Sequence, residues 1–172
     1  KAANPRAAVI GGAAGPAGFV WTARESDRSW QSVASSADGL RLLAVVKGGL
    51  LYTSTDGGIT WTARLAPLGW QAAASSADGT KLVVAVAGGA IFTSADAGTN
   101  WQQRAFSSDW RAVASSADGL RLVAAAYEGQ LYSSTDSGAT WTAREIGRRW
   151  RSVASSADGT KLAAIVQNGL LY

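Results

Sequence analysis

The side chains that could do chemistry in this sequence are carboxylates in turn-like segments and arginines spread along the chain. Two carboxylates facing one pocket would serve glycoside hydrolysis, and clustered arginines would bind carboxylate or phosphate groups. Cys and His are both absent. Thiolate nucleophiles, Ser-His pairs and zinc sites with the usual ligands are therefore excluded. Catalysis would have to rely on Asp, Glu, Tyr and Arg.

These residues belong to a repeat with a step of 40 residues. The stretch 54–61 reads Ser-Thr-Asp-Gly-Gly-Ile-Thr-Trp and recurs at 94–101 and 134–141 as Ser-x-Asp-x-Gly-x-(Thr/Asn)-Trp. A second repeated motif is a Trp followed by a version of Ala-Ser-Ser-Ala-Asp-Gly. It has the same 40-residue spacing, at Trp30, Trp70, Trp110 and Trp150. A fixed step of this length indicates stacked structural units.

Each unit reads as four short strands joined by turns. The predicted strands of the first unit are 30–35, 41–46, 50–54 and 60–64, and a variable linker covers 65–69. Asp38-Gly39 and the 54–61 stretch are turn signals, and the second strand is apolar enough to be buried on both faces. The sequence therefore predicts an all-β protein, a β-propeller of four-stranded blades of about 40 residues. A β-solenoid fits less well, because its repeats are shorter and poorer in hairpins.

The strand count suggests how the ring would close. Three complete units cover 30–64, 70–104 and 110–144, and the last unit lacks a fourth strand. The segment 19–24 resembles an isolated fourth strand, so we expect it to complete the last of four blades and remove exposed edges. Two alternatives remain: two chains exchange these strands in an eight-blade ring, or the chain is part of a longer propeller. The propeller domain is predicted at 19–172, and 1–18 is an irregular, degenerate partial repeat.

The repeated stretch has a local structural explanation. An Asp in a turn accepts backbone N–H groups, a Gly permits positive φ, and a Trp covers the turn. The motif resembles the Asp-box, or bacterial neuraminidase repeat, of sialidase-type propellers. That resemblance implies a structural role on the face opposite the ligand. The residues to which it assigns this role are Ser54, Asp56, Gly58, Trp61, Ser94, Asp96, Gly98, Trp101, Ser134, Asp136, Gly138 and Trp141.

The same resemblance raises an enzyme alternative. Sialidases of this type use an arginine triad, a Tyr nucleophile with a Glu partner, and an acid/base Asp. Here Tyr52, Tyr132 and Tyr172 share one repeat position, which favours packing. Tyr127 and Glu128 are neighbours, so in a strand they would point to opposite faces. We predict a protein without catalytic residues; the alternative is a sialidase-like glycoside hydrolase or a fragment of one.

Other ligand classes are weakly represented. The Asp residues outside the boxes are mostly in Asp-Gly hairpins, so we predict no metal and no cofactor. Net charge is +4, but the repeat spreads basic residues along the chain at Arg24, Arg64, Arg104 and Arg144, which favours a solvated ring over a nucleic-acid patch. The Trp residues follow the repeat too regularly to be a stacking platform, so we predict no nucleic-acid partner. No apolar run approaches the ~18 residues of a membrane helix, so we predict no membrane insertion.

The units differ from one another mainly in the linkers and in the turns between second and third strands. Variation confined to one rim of a constant repeat suggests a recognition surface. The residues predicted to bind there are Arg28, Lys47, Tyr127, Glu128, Arg148, Arg149 and Asn168. We expect a non-enzymatic binding or scaffold module for a protein or glycan. The Arg-rich stretch 148–151 also resembles photosystem II assembly-factor propellers. The third alternative is a self-assembling repeat protein, and a homo-oligomer formed by strand exchange is compatible with each.

Overall fold

A computed structural model describes residues 23–172 of the chain. It is built from consecutive small antiparallel sheets, as the repeat predicts. The strands are β1 (Trp30–Ser35), β2 (Leu42–Gly49), β3 (Leu51–Ser54), β4 (Thr62–Ala63), β5 (Leu68–Ser75), β6 (Leu82–Gly89), β7 (Ile91–Ser94), β8 (Gln102–Gln103), β9 (Ser108–Ser115), β10 (Leu122–Gly129), β11 (Leu131–Ser134), β12 (Thr142–Ala143), β13 (Arg148–Ser155) and β14 (Leu162–Val166). The predicted closing strand at 19–24 and the segment 1–18 lie outside the described residues, except for residues 23 and 24.

The strands form four blades. Blade 1 holds β1–β4, paired in sequence order with every pair antiparallel. Blade 2 (β5–β8) and blade 3 (β9–β12) repeat this order. Blade 4 consists of β13 and β14, with a bridge between Ile165 and Leu171 where a third strand begins. The predicted β-propeller fold is therefore confirmed, and blades 1–3 each have four strands, the fourth of only two residues.

The predicted linkers are shorter than expected. The linker at 65–69 ends inside β5, which begins at Leu68. Lys47 pairs with Gly69 and Gly49 pairs with Leu68, so the end of β2 forms a small ladder with the next blade. The same pairing recurs at the two later junctions. The linker's last residues and the residues assigned to a turn at 47–49 become strand because their backbone groups find partners in each other.

The apolar cores lie between blades. Leu43, Val45 and Leu51 of blade 1 pack against a face of blade 2 that includes Trp70 and Val84. We call the face that meets the following blade the trailing face and the one that meets the preceding blade the leading face. Residues 43–46 are all buried, as their apolar run predicts. In blade 2, which has a blade on each side, residues 82–86 of the second strand are buried on both faces.

An aromatic pair recurs in each blade. Trp70, Trp110 and Trp150 are completely buried. Trp110 meets Tyr132 with ring centroids 5.4 Å apart, and Trp150 meets Tyr172 at 5.2 Å, both edge to face. Trp30 and Tyr52 repeat the arrangement in blade 1. The repeated Tyr position therefore packs against the Trp of its own blade, as the sequence predicts.

A second row of contacts joins the hairpins between the first and second strands. Ala37 N–H donates to the Ala77 carbonyl at 2.7 Å, and Ala77 and Ala117 donate in the same way to the following blade. Beside this ladder, a Cβ placed on Gly79 would lie 2.6 Å from Arg41 Cβ, so the two hairpins are in tight contact. Each blade is thus bonded to the next through its innermost turn as well as through its core.

Within residues 23–172, the two end blades each keep one face uncovered. Val33, on the leading face of blade 1, is 68% exposed, whereas Val113 at the same position in blade 3 is 8% exposed. Leu171, on the trailing face of blade 4, is 72% exposed, whereas Leu51 is fully buried. The described blades are an open stack rather than a closed four-blade ring.

Candidate functional site

The Asp-boxes are the most regular polar feature, and their geometry is that of a turn stabiliser. In blade 1, Ser54 Oγ donates to Asp56 Oδ1 at 2.8 Å and accepts the Gly58 N–H at 2.8 Å. The Asp56 carboxylate also accepts the Thr60 N–H at 2.9 Å and the Thr60 hydroxyl. Blades 2 and 3 repeat the Ser and Asp contacts, with Asn100 in place of Thr60 in blade 2.

These hydrogen bonds stabilise the ionised carboxylates. The Thr60 hydroxyl, the Thr60 N–H and the Ser54 hydroxyl together lower the pKa of Asp56 to about 2. The pKa of Asp96 is lowered to about 2 mainly by the Asn100 N–H, and that of Asp136 to about 2 mainly by the Thr140 hydroxyl. A carboxylate held ionised by its own turn cannot donate a proton near neutral pH. The box carboxylates are therefore suited to holding the loop and unsuited to acid catalysis.

Two of the boxes also contact the preceding blade. A Cβ on Gly98 would lie 2.7 Å from Thr53 Cγ2, and Gly98 has φ +83°. Trp101 closes the loop by donating its indole N–H to the Gly98 carbonyl at 2.9 Å, and Trp141 does the same to Gly138. Within residues 23–172 no blade precedes the box of Trp61, and the buried indole nitrogen of Trp61 has no hydrogen-bond partner there.

The Asp residues of the inner hairpins have the same kind of role. Asp38 Oδ1 accepts the Leu40 N–H at 3.0 Å and the Ser36 hydroxyl. These bonds lower the pKa of Asp38, with the Ser36 hydroxyl contributing most. Among residues 23–172, no group of three or more acidic side chains is arranged to hold a metal ion.

The predicted binding residues lie along the rim of the blades, where the linkers between blades meet the turns between second and third strands. The end of β10 carries Tyr127 and Glu128, and the start of β13 carries Arg148 and Arg149. The ladder between the blades places Tyr127 opposite Arg149 and Gly129 opposite Arg148. Lys47 lies at the equivalent place between blades 1 and 2, and its N–H donates to the Ser29 carbonyl. The two variable sets are thus neighbours in space.

Charged side chains of blades 3 and 4 lie together at the junction of these blades, and we call this group the rim cluster. Its members are Asp109, Arg111, Tyr127, Glu128, Arg148 and Arg149. The Arg111 guanidinium carbon lies 4.8 Å from the centre of the Tyr127 ring, and Arg111 Nη2 lies 2.6 Å from Asp109 Oδ2. Arg149 Nε lies 2.9 Å from Glu128 Oε1. The rim cluster contains three guanidinium groups and two carboxylates, so it retains a positive charge.

Strained backbone marks the turn tips of the same two blades. Glu128 has φ +53° and Asn168 has φ +55°, at the position that Gly48 and Gly88 occupy in blades 1 and 2. The left-handed region is unfavourable for a residue with a Cβ, by roughly 1–2 kcal/mol per residue, although Asn tolerates it better than Glu does. Glu128 therefore holds a position that favours glycine, which suggests a use for its side chain.

Arg28 and Lys47 belong to blade 1 and lie apart from the rim cluster, whereas Asn168 follows Gln167, whose N–H donates to the Arg149 carbonyl at 2.8 Å. Arg28 stacks on Tyr52 at 4.7 Å and pairs with Glu25 at 3.2 Å, in blade 1. Arg148 stacks on Tyr172 at 4.9 Å, which repeats the Arg28 arrangement in blade 4. Of the seven predicted residues, Tyr127, Glu128, Arg148 and Arg149 come together at one junction.

Sequence reasoning missed Asp109 and Arg111. Asp109 stood in a predicted linker and was not singled out, although it pairs with Ala87 of the preceding blade. Arg111 follows the repeated Trp, where the four units read Gln31, Gln71, Arg111 and Arg151. The change from Gln to Arg in the last two units was the available signal.

Comparisons with known proteins agree with the fold. Residues 52–63 match the BNR/Asp-box repeat family. No curated protein matches the chain by sequence. The structure is similar to YCF48 bound to D1 peptide (TM-score 0.59, 16% identity, 86% of this chain and 65% of that one). It is also similar to YCF48 from Cyanidioschyzon merolae (TM-score 0.66, 20% identity, 86% of this chain and 54% of that one).

An enzyme is among the similar structures as well. The Niastella koreensis GH74 enzyme has a TM-score of 0.67 at 21% identity, over 96% of this chain and 28% of that one. The chain spans less than two thirds of each of these three proteins. At such identities the likeness shows the β-propeller fold, which binding proteins and glycoside hydrolases share. No helix in residues 23–172 could cross a bilayer.

Proposed function

We propose that this chain is a non-enzymatic binding module that takes an acidic protein segment on the rim cluster. The observation that carries the proposal is the exposed Arg149–Glu128 pair, held on a strained turn beside Arg111 and Tyr127. A protein-binding role also accords with the YCF48 neighbour, which is bound to a peptide.

The Arg149–Glu128 ion pair is weak enough for a ligand carboxylate to replace Glu128. The side chains of Arg149 and Glu128 are 62% and 58% exposed, and such surface pairs contribute only about 0–1 kcal/mol. A carboxylate of a partner can replace Glu128 at little expense and gain a charge-assisted hydrogen bond to Arg149. Arg111 is more buried and stacked on Tyr127, so it offers a preorganised guanidinium with low entropy loss.

The carboxylates of the cluster are poorly placed for hydrolysis. Asp109 and Glu128 each lie within hydrogen-bond distance of a guanidinium, and the box and hairpin carboxylates are bonded to their own turns. A general acid for glycoside cleavage needs a raised pKa, whereas the pKa values of the box carboxylates and of Asp38 are lowered.

The test is a selection of random 12-residue peptides displayed on phage against the immobilised chain, with a glycan array and a fluorogenic sialoside assay in parallel. Enrichment of Asp- and Glu-rich peptides supports the proposal, provided that Arg149→Ala loses it and Arg64→Ala keeps it. Arg64 is the matched control because it removes the same charge from the outer edge of blade 1, where its Nε donates to Thr53. Glycan binding without peptide enrichment, or sialoside turnover, would overturn the proposal.

A further inference from the structure

We propose that the acidic segment bound by the rim cluster also carries a bulky apolar side chain, which packs on Phe106 in the linker before blade 3. This inference rests on the proposed function and specifies its ligand, an acidic peptide with one apolar anchor at a fixed spacing from its carboxylates. The juxtaposition that points to it is an exposed aromatic ring, held by two other rings, beside a positively charged cluster.

The fold does not require an aromatic residue at position 106. Phe106 is 54% exposed, whereas the neighbouring Ala105 is buried in the apolar core between blades 2 and 3. At the position of Phe106, blade 1 has Ser26 and blade 2 has Ala66. A small side chain is therefore sufficient for the linker to fold, and packing of the core does not explain the Phe106 ring.

Two aromatic rings hold Phe106 in place. The centre of its ring lies 5.2 Å from that of Tyr132 and 5.7 Å from that of Trp110. Trp110 is completely buried, so the base on which Phe106 rests is fixed by the core. An aromatic side chain that is ordered before binding loses little conformational entropy when a ligand packs on it. Phe106 therefore has the properties of an interface anchor.

The cover of the third-strand tyrosine differs among the blades. Arg28 stacks on Tyr52 in blade 1, and Arg148 stacks on Tyr172 in blade 4. In blade 3 the equivalent tyrosine is covered by the ring of Phe106 instead. A guanidinium presents charge to solvent, whereas Phe106 presents apolar surface. Blade 3 therefore offers a ligand an apolar contact where blades 1 and 4 offer a cation.

A short series of contacts joins Phe106 to the rim cluster. The Tyr132 ring beneath Phe106 carries a hydroxyl that donates to Gln130 Oε1 at 3.3 Å. Gln130 follows Gly129, whose backbone pairs with that of Arg148 in the rim cluster. An extended peptide of 12 residues spans up to about 40 Å, so one ligand can contact Phe106 and the arginines together.

The two contacts would contribute differently to binding. Attraction between exposed charges is screened by salt and is small for each pair. Burial of an apolar side chain on a fixed ring adds affinity that does not depend on Coulomb attraction. An apolar anchor beside a charged cluster also fixes the direction of the ligand, with its carboxylate at Arg149 and its apolar residue at Phe106.

The test begins with the acidic peptides selected against the 1–172 chain, which should share a bulky apolar residue at a constant spacing from their acidic residues. The tightest peptide, and a copy with that residue changed to Ala, are titrated calorimetrically into wild type and Phe106→Ala. Wild type should bind the Ala peptide about tenfold more weakly, as for loss of an interface anchor. Phe106→Ala should bind both peptides with this lower affinity, because contacting residues are coupled in a double-mutant cycle.

Leu120→Ala is the control. Leu120 is 44% exposed in the inner hairpin of the same blade, beyond the other end of β9. This variant should retain the tenfold difference between the peptides. Phe106→Ala should fold, because blade 2 has Ala66 at that position, and circular dichroism checks this. Raising NaCl from about 0.1 to 0.5 M should weaken both peptides equally in wild type, since the apolar contact is not screened.

Acidic peptides that share no apolar residue, or a Phe106→Ala chain that still distinguishes the two peptides, would overturn this inference and leave the proposed function standing. A selection that enriches no acidic peptides would overturn the proposed function and this inference with it.

Discussion

Arg149 Nε lies 2.9 Å from Glu128 Oε1, and Glu128 is held at φ +53° where two other blades place glycine. The ion pair and the unfavourable backbone oppose each other in the free protein. The pair is exposed, so its contribution is about 0–1 kcal/mol, whereas the left-handed conformation costs roughly 1–2 kcal/mol. The strain is larger than the contribution of the ion pair, so the protein would be more stable without the Glu128 side chain.

Glu128→Gly is therefore expected to raise the free energy of unfolding by about 1 kcal/mol, measured by urea denaturation. Gly88→Glu, at the equivalent tip of blade 2, is the matched control and should lower it by a similar amount, since Gly88 has φ +69°. A Glu128→Gly chain less stable than wild type would mean that the ion pair outweighs the backbone strain.

Ser134→Ala should destabilise the protein by about 1–3 kcal/mol, because it leaves the buried Gly138 N–H without an acceptor. The neighbouring Ser133→Ala removes a hydroxyl that accepts from exposed Arg144, so its effect should stay within about 0.5 kcal/mol. Thermal unfolding of the two variants side by side separates the roles. Equal losses would show that the box serine has no special structural role.

Acid should destabilise the protein through the boxes. The folded-state pKa of Asp56, Asp96 and Asp136 is about 2, below the ordinary value of 3.8. A lowered folded pKa gives stability that is fully present above pH 4 and is lost as the pH falls through about 2. Melting temperature should therefore drop between these pH values.

The triple variant with Asn at positions 56, 96 and 136 is the control for this pH dependence. Asn does not titrate, so its melting temperature should start lower at pH 7 and fall less steeply with acid. A slope equal to that of wild type would assign the acid sensitivity to other carboxylates, such as Asp158, whose pKa is also about 2.

The inner hairpins give a test of the blade junction. Gly119→Ala would place a Cβ 2.7 Å from Lys81 Cβ, whereas within residues 23–172 a Cβ on Gly39 meets nothing within 4 Å. Both glycines have positive φ, so the backbone strain is shared and the difference reports the contact. Gly119→Ala should be the more destabilising by about 1–3 kcal/mol. Equal effects would argue against tight packing of the hairpins.

Much of the fold could be predicted because the strands and turns of each repeat follow from local sequence patterns. The Asp-Gly hairpins, the boxes and the apolar second strand need only neighbouring residues, and the structure places them as expected. The ladder between Lys47 and Gly69 could not be foreseen, because it depends on how one blade meets the next. The same limit applies to ring closure, which depends on residues far apart in sequence.

The candidate site was predicted in part. Variation among the repeats pointed to Tyr127, Glu128, Arg148 and Arg149, which do lie together. It did not separate them from Arg28, because equivalent positions in different blades vary in the same way while lying far apart along the stack. Arg111 was missed because its importance comes from the Tyr127 ring above it, a contact across strands that no local pattern encodes.

The most direct test of the proposed binding function is calorimetric titration of the most enriched acidic peptide into wild type, Arg149→Ala, Glu128→Gly and Arg64→Ala. Arg149→Ala should bind about 10- to 150-fold more weakly, since a hydrogen bond to a charged group contributes about 1.5–3 kcal/mol. Glu128→Gly should bind several-fold more tightly, because the competing carboxylate is gone, and Arg64→Ala should match wild type. Equal affinities for all four proteins would contradict binding at the rim cluster.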